Sequence, residues 1–189
     1  MFELPIARSD VHVHLTEEHI KLLFGKKHQL TSIKDLTIPG QFACAERVTL
    51  LGPVGKIEDV VVVGPARTYS QIEISATNGQ MLGIDAPLRS SGDIKDTPGI
   101  KIAGPAGVLE LPEGVITASR HIHMHSDDAE KLGIKNDDMV SIRIPGPRGL
   151  VFNEVKIKSG TDQALEMHVD FDEGYAAGIT DFQIVELIQ

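Results

Sequence analysis

His12-Val13-His14 and His121-Ile122-His123 open the two halves of the chain. Each leads through a short helix signal and a strand-rich stretch to one more potential metal ligand, Glu73 in the first half and His168 in the second. In an extended strand, side chains two apart share a face and are separated by roughly 7 Å along the strand, so each His-x-His can present two imidazoles to one ion. Zinc accepts neutral imidazoles together with a carboxylate or a third imidazole, and a catalytic zinc keeps one position open. A lone His-x-His in a strand is more often a surface or hydrogen-bonded pair. Here five of the eight histidines fall in matching places of two copies of one pattern, so the chain reads as a duplicated metal-binding unit, His-x-His…Glu and His-x-His…His. Of the remaining histidines, His19 on a helix and His28 in a polar loop read as solvated. His125 continues the alternation of His121 and His123 but falls where a helix cap is expected, which makes it a reserve ligand.

The repeat extends beyond the histidines. Thr16, Glu17 and Glu18 precede an apolar stripe of Ile20, Leu23 and Phe24 and then Gly25; Ser126, Asp127 and Asp128 precede Ala129, Leu132 and Gly133. Each stretch reads as a capped helix of about two turns, acidic at its start and ended by glycine. Gly52-Pro53-Val54-Gly55 matches Gly146-Pro147-Arg148-Gly149, and Gly104-Pro105-Ala106-Gly107 repeats the signal a third time. Gly-Pro-x-Gly between apolar runs marks a hairpin. The ends of the units align as Gln71-Ile72-Glu73-Ile74 against Leu165-Glu166-Met167-His168, with a one-residue slip.

Strands are expected near 47–51, 56–63, 69–75, 100–103, 108–111, 115–119, 139–144, 150–158 and 165–169. So many short strands with Gly/Pro turns imply a mainly β fold of barrels or sandwiches. The segment 77–99 has little periodicity and reads as an inserted functional loop.

With 41% hydrophobic and 24% charged residues, the composition is that of an ordinary soluble protein. No apolar run approaches the roughly 20 residues that a bilayer requires, and residues 1–8 are too short for a cleavable signal, so no membrane partner and a cytoplasmic location are expected. A single cysteine excludes an internal disulfide and suits a reducing compartment. A net charge of −9 argues against nucleic acid, while local charge still allows small anions. Arg67, six residues before Glu73, and Arg120, immediately before His121, are candidates to hold them.

Several strings in order along the chain carry a family likeness: Pro39-Gly40-Gln41-Phe42-Ala43, Gly64-Pro65-Ala66-Arg67, Gln71-Ile72-Glu73-Ile74-Ser75, Leu82-Gly83-Ile84-Asp85-Ala86-Pro87, Ser119-Arg120-His121-Ile122-His123-Met124 and Glu166-Met167-His168. From about Val11 to Gly178 the chain resembles the PduL-type phosphate acyltransferases of propanediol utilization. These interconvert acyl-CoA plus phosphate with acyl phosphate plus CoA, as phosphate acetyl- or propanoyltransferases. The resemblance implies two small β-barrels capped by short helices, with an active site between them holding two zinc ions. The domains would be 11–118 and 119–189, the latter with 1–10 packed on it. His12, His14 and Glu73 would hold one zinc, and His121, His123 and His168 the other. Arg67 would bind phosphate, and Arg120 would serve the coenzyme A cofactor site. One departure is visible: the family has Asn-Arg before its first His-x-His, where this chain has Asp10-Val11. Members packaged in microcompartments carry an amphipathic leading extension, and its absence here leads to the expectation of a cytosolic enzyme. The acyl chain, from acetyl to somewhat beyond propanoyl, stays open, as do a homodimer and cobalt in place of zinc.

The chemistry fits these residues without the likeness. Attack of phosphate on a thioester builds charge on the carbonyl oxygen that a Lewis-acidic metal can stabilise, and an arginine fork can hold the phosphate. No side-chain nucleophile stands beside either ligand set, which favours direct transfer. Cys44, within Phe42-Ala43-Cys44-Ala45, reads as a packed residue. A zinc (thio)ester hydrolase using the same ligands on water, and a non-enzymatic metal-binding module, are the alternatives. The first would consume acyl-CoA without phosphate, and the second would fill every coordination position with protein.

Overall fold

The computed structural model describes residues 2–188. In chain order these form β1 (Phe2–Ser9), β2 (His12–His14), α1 (Glu17–Phe24), β3 (Ser32–Asp35), β4 (Phe42–Leu51), β5 (Lys56–Gly64), β6 (Gln71–Glu73), α2 (Ala76–Leu82), β7 (Leu88–Arg89), β8 (Ile100–Ala103), β9 (Val108–Leu111) and β10 (Val115–Ala118). They continue with β11 (His121–His125), α3 (Ser126–Leu132), β12 (Met139–Ile144), β13 (Leu150–Gly160), β14 (Glu166–Asp170), α4 (Phe171–Ala177) and β15 (Gln183–Ile188). No helix among the described residues is long and apolar enough to cross a membrane.

Two compact units result, and the fold is mainly β. One comprises residues 2–10, 37–39 and 119–188. Its strands close into a six-stranded barrel in the order β1-β14-β11-β13-β12-β15. Alternating residues fill the interior: Leu4 and Ile6 of β1, Ile122 and Met124 of β11, Ile142, Val155, Ile157 and Met167 are all buried. β1 pairs with β14 from Ile6 onward and with β15 up to Ile6. Pro5, which lacks an N–H, therefore lies where the strand is paired on one side only.

The other unit comprises residues 11–36 and 40–118 and is built on a curled nine-stranded sheet. Val13, Leu15, Ile20, Leu23, Val48, Leu50, Val62, Ile72 and Leu82 form its core. All three Gly-Pro-x-Gly segments are hairpin turns, joining β4 to β5, β8 to β9 and β12 to β13. Gly52 and Gly104 each donate to the glycine three residues on, at 2.9 Å, whereas in the third turn Gly149 donates back to Gly146 at 2.9 Å. Glycine is required at 52 because a Cβ there would stand 2.2 Å from the Leu82 carbonyl oxygen.

Pairing makes the duplication explicit. β2-α1-β4-β5-β6-α2 in one unit corresponds to β11-α3-β12-β13-β14-α4 in the other, each ligand-bearing strand lying between a parallel and an antiparallel partner. α2 and α4 both start on a reciprocal capping box, Ser75 with Asn78 and Asp170 with Glu173, and both stop at a left-handed glycine. The units differ in closure. β14 takes β1 as its parallel neighbour, and β1 also pairs with β15, which completes the ring. β6 takes β10 in the same way, but β10 pairs onward with β7, and β8 pairs with β9, so the sheet stays open.

Segment 77–99 holds most of α2 and the short β7 rather than an unstructured loop. Gly79 hid the helix: it sits mid-helix because a Cβ would come within 2.7 Å of the Ile84 carbonyl oxygen.

Candidate metal centres

β2 pairs antiparallel with β6 so that His12 faces Glu73, Val13 faces Ile72 and His14 faces Gln71. β11 pairs with β14 so that His121 faces His168, Ile122 faces Met167 and His123 faces Glu166. Glu73 and His168 thus occupy the same register position, and the one-residue slip of the sequence alignment disappears. Val13 and Ile122, between the histidines, are fully buried, which anchors each strand and turns both imidazoles to the opposite face. Each set of three brings its ligand atoms within 4.8 Å of one another. His125 stays outside the second set, because its ring accepts the Asp127 N–H at 3.2 Å as the cap of α3.

Hydrogen-bond partners fix which ring nitrogen each set presents. His121 Nδ1 lies 2.8 Å from the Ser119 carbonyl oxygen and His123 Nδ1 contacts the Gln163 side-chain oxygen. Both oxygens can only accept, so each Nδ1 carries the proton and each Nε2 carries a lone pair. Those two Nε2 atoms stand 3.0 Å apart. Two acceptors at that distance repel unless a proton or a cation is shared between them. In the other unit, His14 Nδ1 donates to the Val63 carbonyl at 3.1 Å, and Nε2 lies 3.9 Å from Glu73. His12 Nε2 is 3.7 Å from the same carboxylate. Ligands on a tetrahedral zinc at about 2.0–2.1 Å stand roughly 3.3 Å apart, so both donor sets fit that ion with small side-chain adjustments.

Burial favours the neutral form of His14, His121 and His123, the form that metal ligation requires. The His14 pKa is pushed down to about 3, by burial first and then by the charges of His12 and Arg67. His123 falls to about 4 through burial and His168, and His121 is lowered by burial and Lys158. Because the folded values lie below the ordinary 6.5, the unfolded chain binds more protons as pH falls. This contribution to stability is complete above about pH 6.5 and is lost progressively toward pH 3 to 4. At pH 5 the unfolded chain gains about 1–2 kcal/mol for each such ring that it protonates and the folded protein does not, so chelator-treated protein should melt at least about 5 °C lower there than at pH 7.5. A pH-independent melting temperature across that window would contradict the burial of these rings.

Two residues that the spacing of the histidines did not single out hydrogen-bond to the third member of each candidate set. Gln71, fully buried, donates from Nε2 to Glu73 at 2.6 Å and to Ser91 at 2.8 Å, and accepts from the Gly92 N–H at 2.7 Å. Glu166, also buried, accepts from His168 Nε2 at 2.6 Å and from the Thr37 hydroxyl at 2.8 Å. Although burial raises the Glu166 carboxyl, the His168 contacts and Thr37 outweigh it and hold the pKa below its usual value. The signal was available: each lies two residues before a ligand, on the same strand face.

Arg67 follows the ligand strands closely. Its N–H donates to Leu15, immediately after β2, at 2.9 Å, and its guanidinium reaches Gln41 at 3.4 Å. Its charge bears on His14. Arg120 lies in the barrel unit, where Nε donates to the Asn153 carbonyl at 2.8 Å, Nη1 pairs with Glu173, and the guanidinium covers the Phe152 ring at 5.1 Å. Cys44 is fully buried, and burial pushes its thiol up to about 11. His19 and His28 are not simply solvated: His19 Nδ1 meets Ser70 at 2.6 Å and His28 Nε2 meets Glu46 at 2.7 Å, tying helix and loop to the sheet.

Residues 5–180 match the sequence profile of the phosphate propanoyltransferase family, and the chain belongs to that family. A phosphate propanoyltransferase of Thermotoga maritima is 47% identical over 182 residues, covering 96% of this chain and 87% of its own length. One from Salmonella typhimurium is 48% identical, covering 93% and 83%, and one from Lachnoclostridium phytofermentans is 45% identical, covering 99% and 88%.

Proposed function

We propose that this protein is a phosphate acyltransferase that interconverts short-chain acyl-CoA plus phosphate with acyl phosphate plus CoA, using two zinc ions. The observation that carries the reading, in a chain of this family, is the pair of three-residue sets whose potential ligand atoms lie within 4.8 Å of one another, with the Nε2 atoms of His121 and His123 3.0 Å apart. His12, His14 and Glu73 hold one ion and His121, His123 and His168 the other. A bound zinc supplies a Lewis acid for the charge developing on the thioester carbonyl oxygen. Arg67 holds the phosphate by paired N–H donors and orients one oxygen toward the acyl carbon. The phosphate oxygen adds to the acyl carbon as the carbonyl π pair moves onto oxygen; when that pair returns, the C–S bond breaks, its electron pair leaves with the CoA sulfur, and the proton given up by phosphate ends on the thiol by way of water. Arg120, already committed to Glu173 and Asn153, holds the surface at the head of β11 and contributes to CoA binding through that arrangement.

Direct transfer is supported by the state of the only thiol. A buried Cys44 with its pKa near 11 offers almost no thiolate at neutral pH. Cys44→Ser is therefore expected to keep most of the activity, and initial rates with acyl phosphate and CoA both varied should give intersecting lines. Parallel lines with an acylated Cys44 in mass spectra would overturn direct transfer.

The test of the function is CoA release from acetyl- to butanoyl-CoA, with and without phosphate, on protein whose metal content has been measured. Release that requires phosphate, from protein with about two zinc ions per chain, is the expected result. Phosphate-independent release would favour the hydrolase, and active protein without stoichiometric metal would reject the zinc assignment.

A further inference from the structure

The third ligand differs between the two centres, a carboxylate at Glu73 and an imidazole at His168, although both face the first histidine of their pair at one register position. The residue two places earlier differs too, and in the complementary sense. Where the ligand is a carboxylate, its neighbour is an amide that donates, Gln71 to Glu73 at 2.6 Å. Where the ligand is an imidazole, its neighbour is a carboxylate that accepts, His168 Nε2 to Glu166 at 2.6 Å.

Neither neighbour is free to turn. The Gln71 oxygen accepts from the Gly92 backbone N–H, which can only donate, so Nε2 must point to Glu73 and Ser91. The second Glu166 oxygen is held by the Thr37 hydroxyl, supplied by the segment 37–39 that the chain inserts into the barrel unit. Gln71 is fully buried and Glu166 is 4% exposed, so the hydrogen bonds that orient each side chain are shielded from water.

Resting on the zinc reading above, we propose that Gln71 and Glu166 are matched positioning residues, one donor and one acceptor, each orienting the third ligand of its centre. Glu166 keeps the proton of His168 on Nε2 and so presents Nδ1 to the metal. The carboxylate of one centre sits on the ion and that of the other sits one hydrogen bond behind it. A metal at the imidazole centre therefore keeps more of its positive charge.

The test uses the full chain, stripped and reloaded, with zinc titrated against a chromogenic chelator in the absence of substrate. Glu166→Gln should weaken one of the two zinc ions by about 10–100-fold and leave the other unchanged. Thr37→Val should weaken the same ion to a smaller degree, and it decides the matter if the first variant fails to fold. The double change Glu166→Gln with His168→Glu rebuilds the donor–carboxylate pair and should hold zinc more tightly than His168→Glu alone. In nitrogen-15 spectra of the zinc-loaded protein, His168 should carry its proton on Nε2. Unchanged titration curves in Glu166→Gln, no gain in the double variant, or metal on Nε2 would each overturn the proposal. Wild-type protein that takes up no zinc at all would instead remove the zinc reading on which it stands.

Discussion

Replacing His12 or His123 by alanine is expected to abolish turnover while the protein still folds. Each change removes one side chain of a three-residue set that could hold a metal ion, whereas the buried residue of the strand beside it, Val13 or Ile122, stays in the core. Loss of one oxyanion donor costs about 10²–10³ in rate, and loss of the group that organises the whole site should cost more. The two variants should also differ from each other. His12→Ala should keep the ion at His121, His123 and His168, and His123→Ala the ion at His12, His14 and Glu73, so each retains about one zinc per chain. Elemental analysis beside a melting curve checks this. Full activity with one ion missing would show that the affected centre is structural only.

Arg67→Ala is the second large effect. The residue is fastened by its own N–H to Leu15, next to the His12–His14 strand, while its guanidinium reaches the Gln41 side-chain oxygen at 3.4 Å. If those planar donors hold the phosphate, as proposed, their loss should lower the rate about a hundredfold or more. Lysine should restore little, because one ammonium cannot reproduce two parallel N–H bonds. Saturation by phosphate should deteriorate more than saturation by CoA. Ordinary phosphate kinetics in the alanine variant would return Arg67 to the status of a surface cation.

The His-x-His pairs and the hairpins were legible because both are local. Gly-Pro-x-Gly fixes the ends of β8, β9 and β12 to the residue, and His-x-His needs only the alternation of one strand. What escaped was non-local. β1 contains Pro5 and finds its partners only at residues 167–170 and 183–187, so nothing nearby marks it as a strand. α2 and α4 are interrupted by Gly79 and Gly174, which weaken a helical signal. Both glycines are demanded by close neighbours, the Ile84 carbonyl at 2.7 Å and the Arg8 side chain at 2.5 Å from a would-be Cβ. Gln71 and Glu166 escaped for another reason. Their residue types are ordinary, and the spacing of two that puts each on the strand face of Glu73 or His168 was read only for the histidine pairs.

The leading strand of each repeat has an unexpected allegiance. β1 runs by way of Asp10 and Val11 into the ligand strand of the open sheet, yet it pairs within the closed barrel; β10 runs by way of Ser119 and Arg120 into the ligand strand of the barrel, yet it pairs within the open sheet. Because β1 finds its partners in β14 and β15 across nearly the whole described sequence, closing the barrel carries a large loop-closure cost, and it is expected to lag behind the local hairpins when the chain folds.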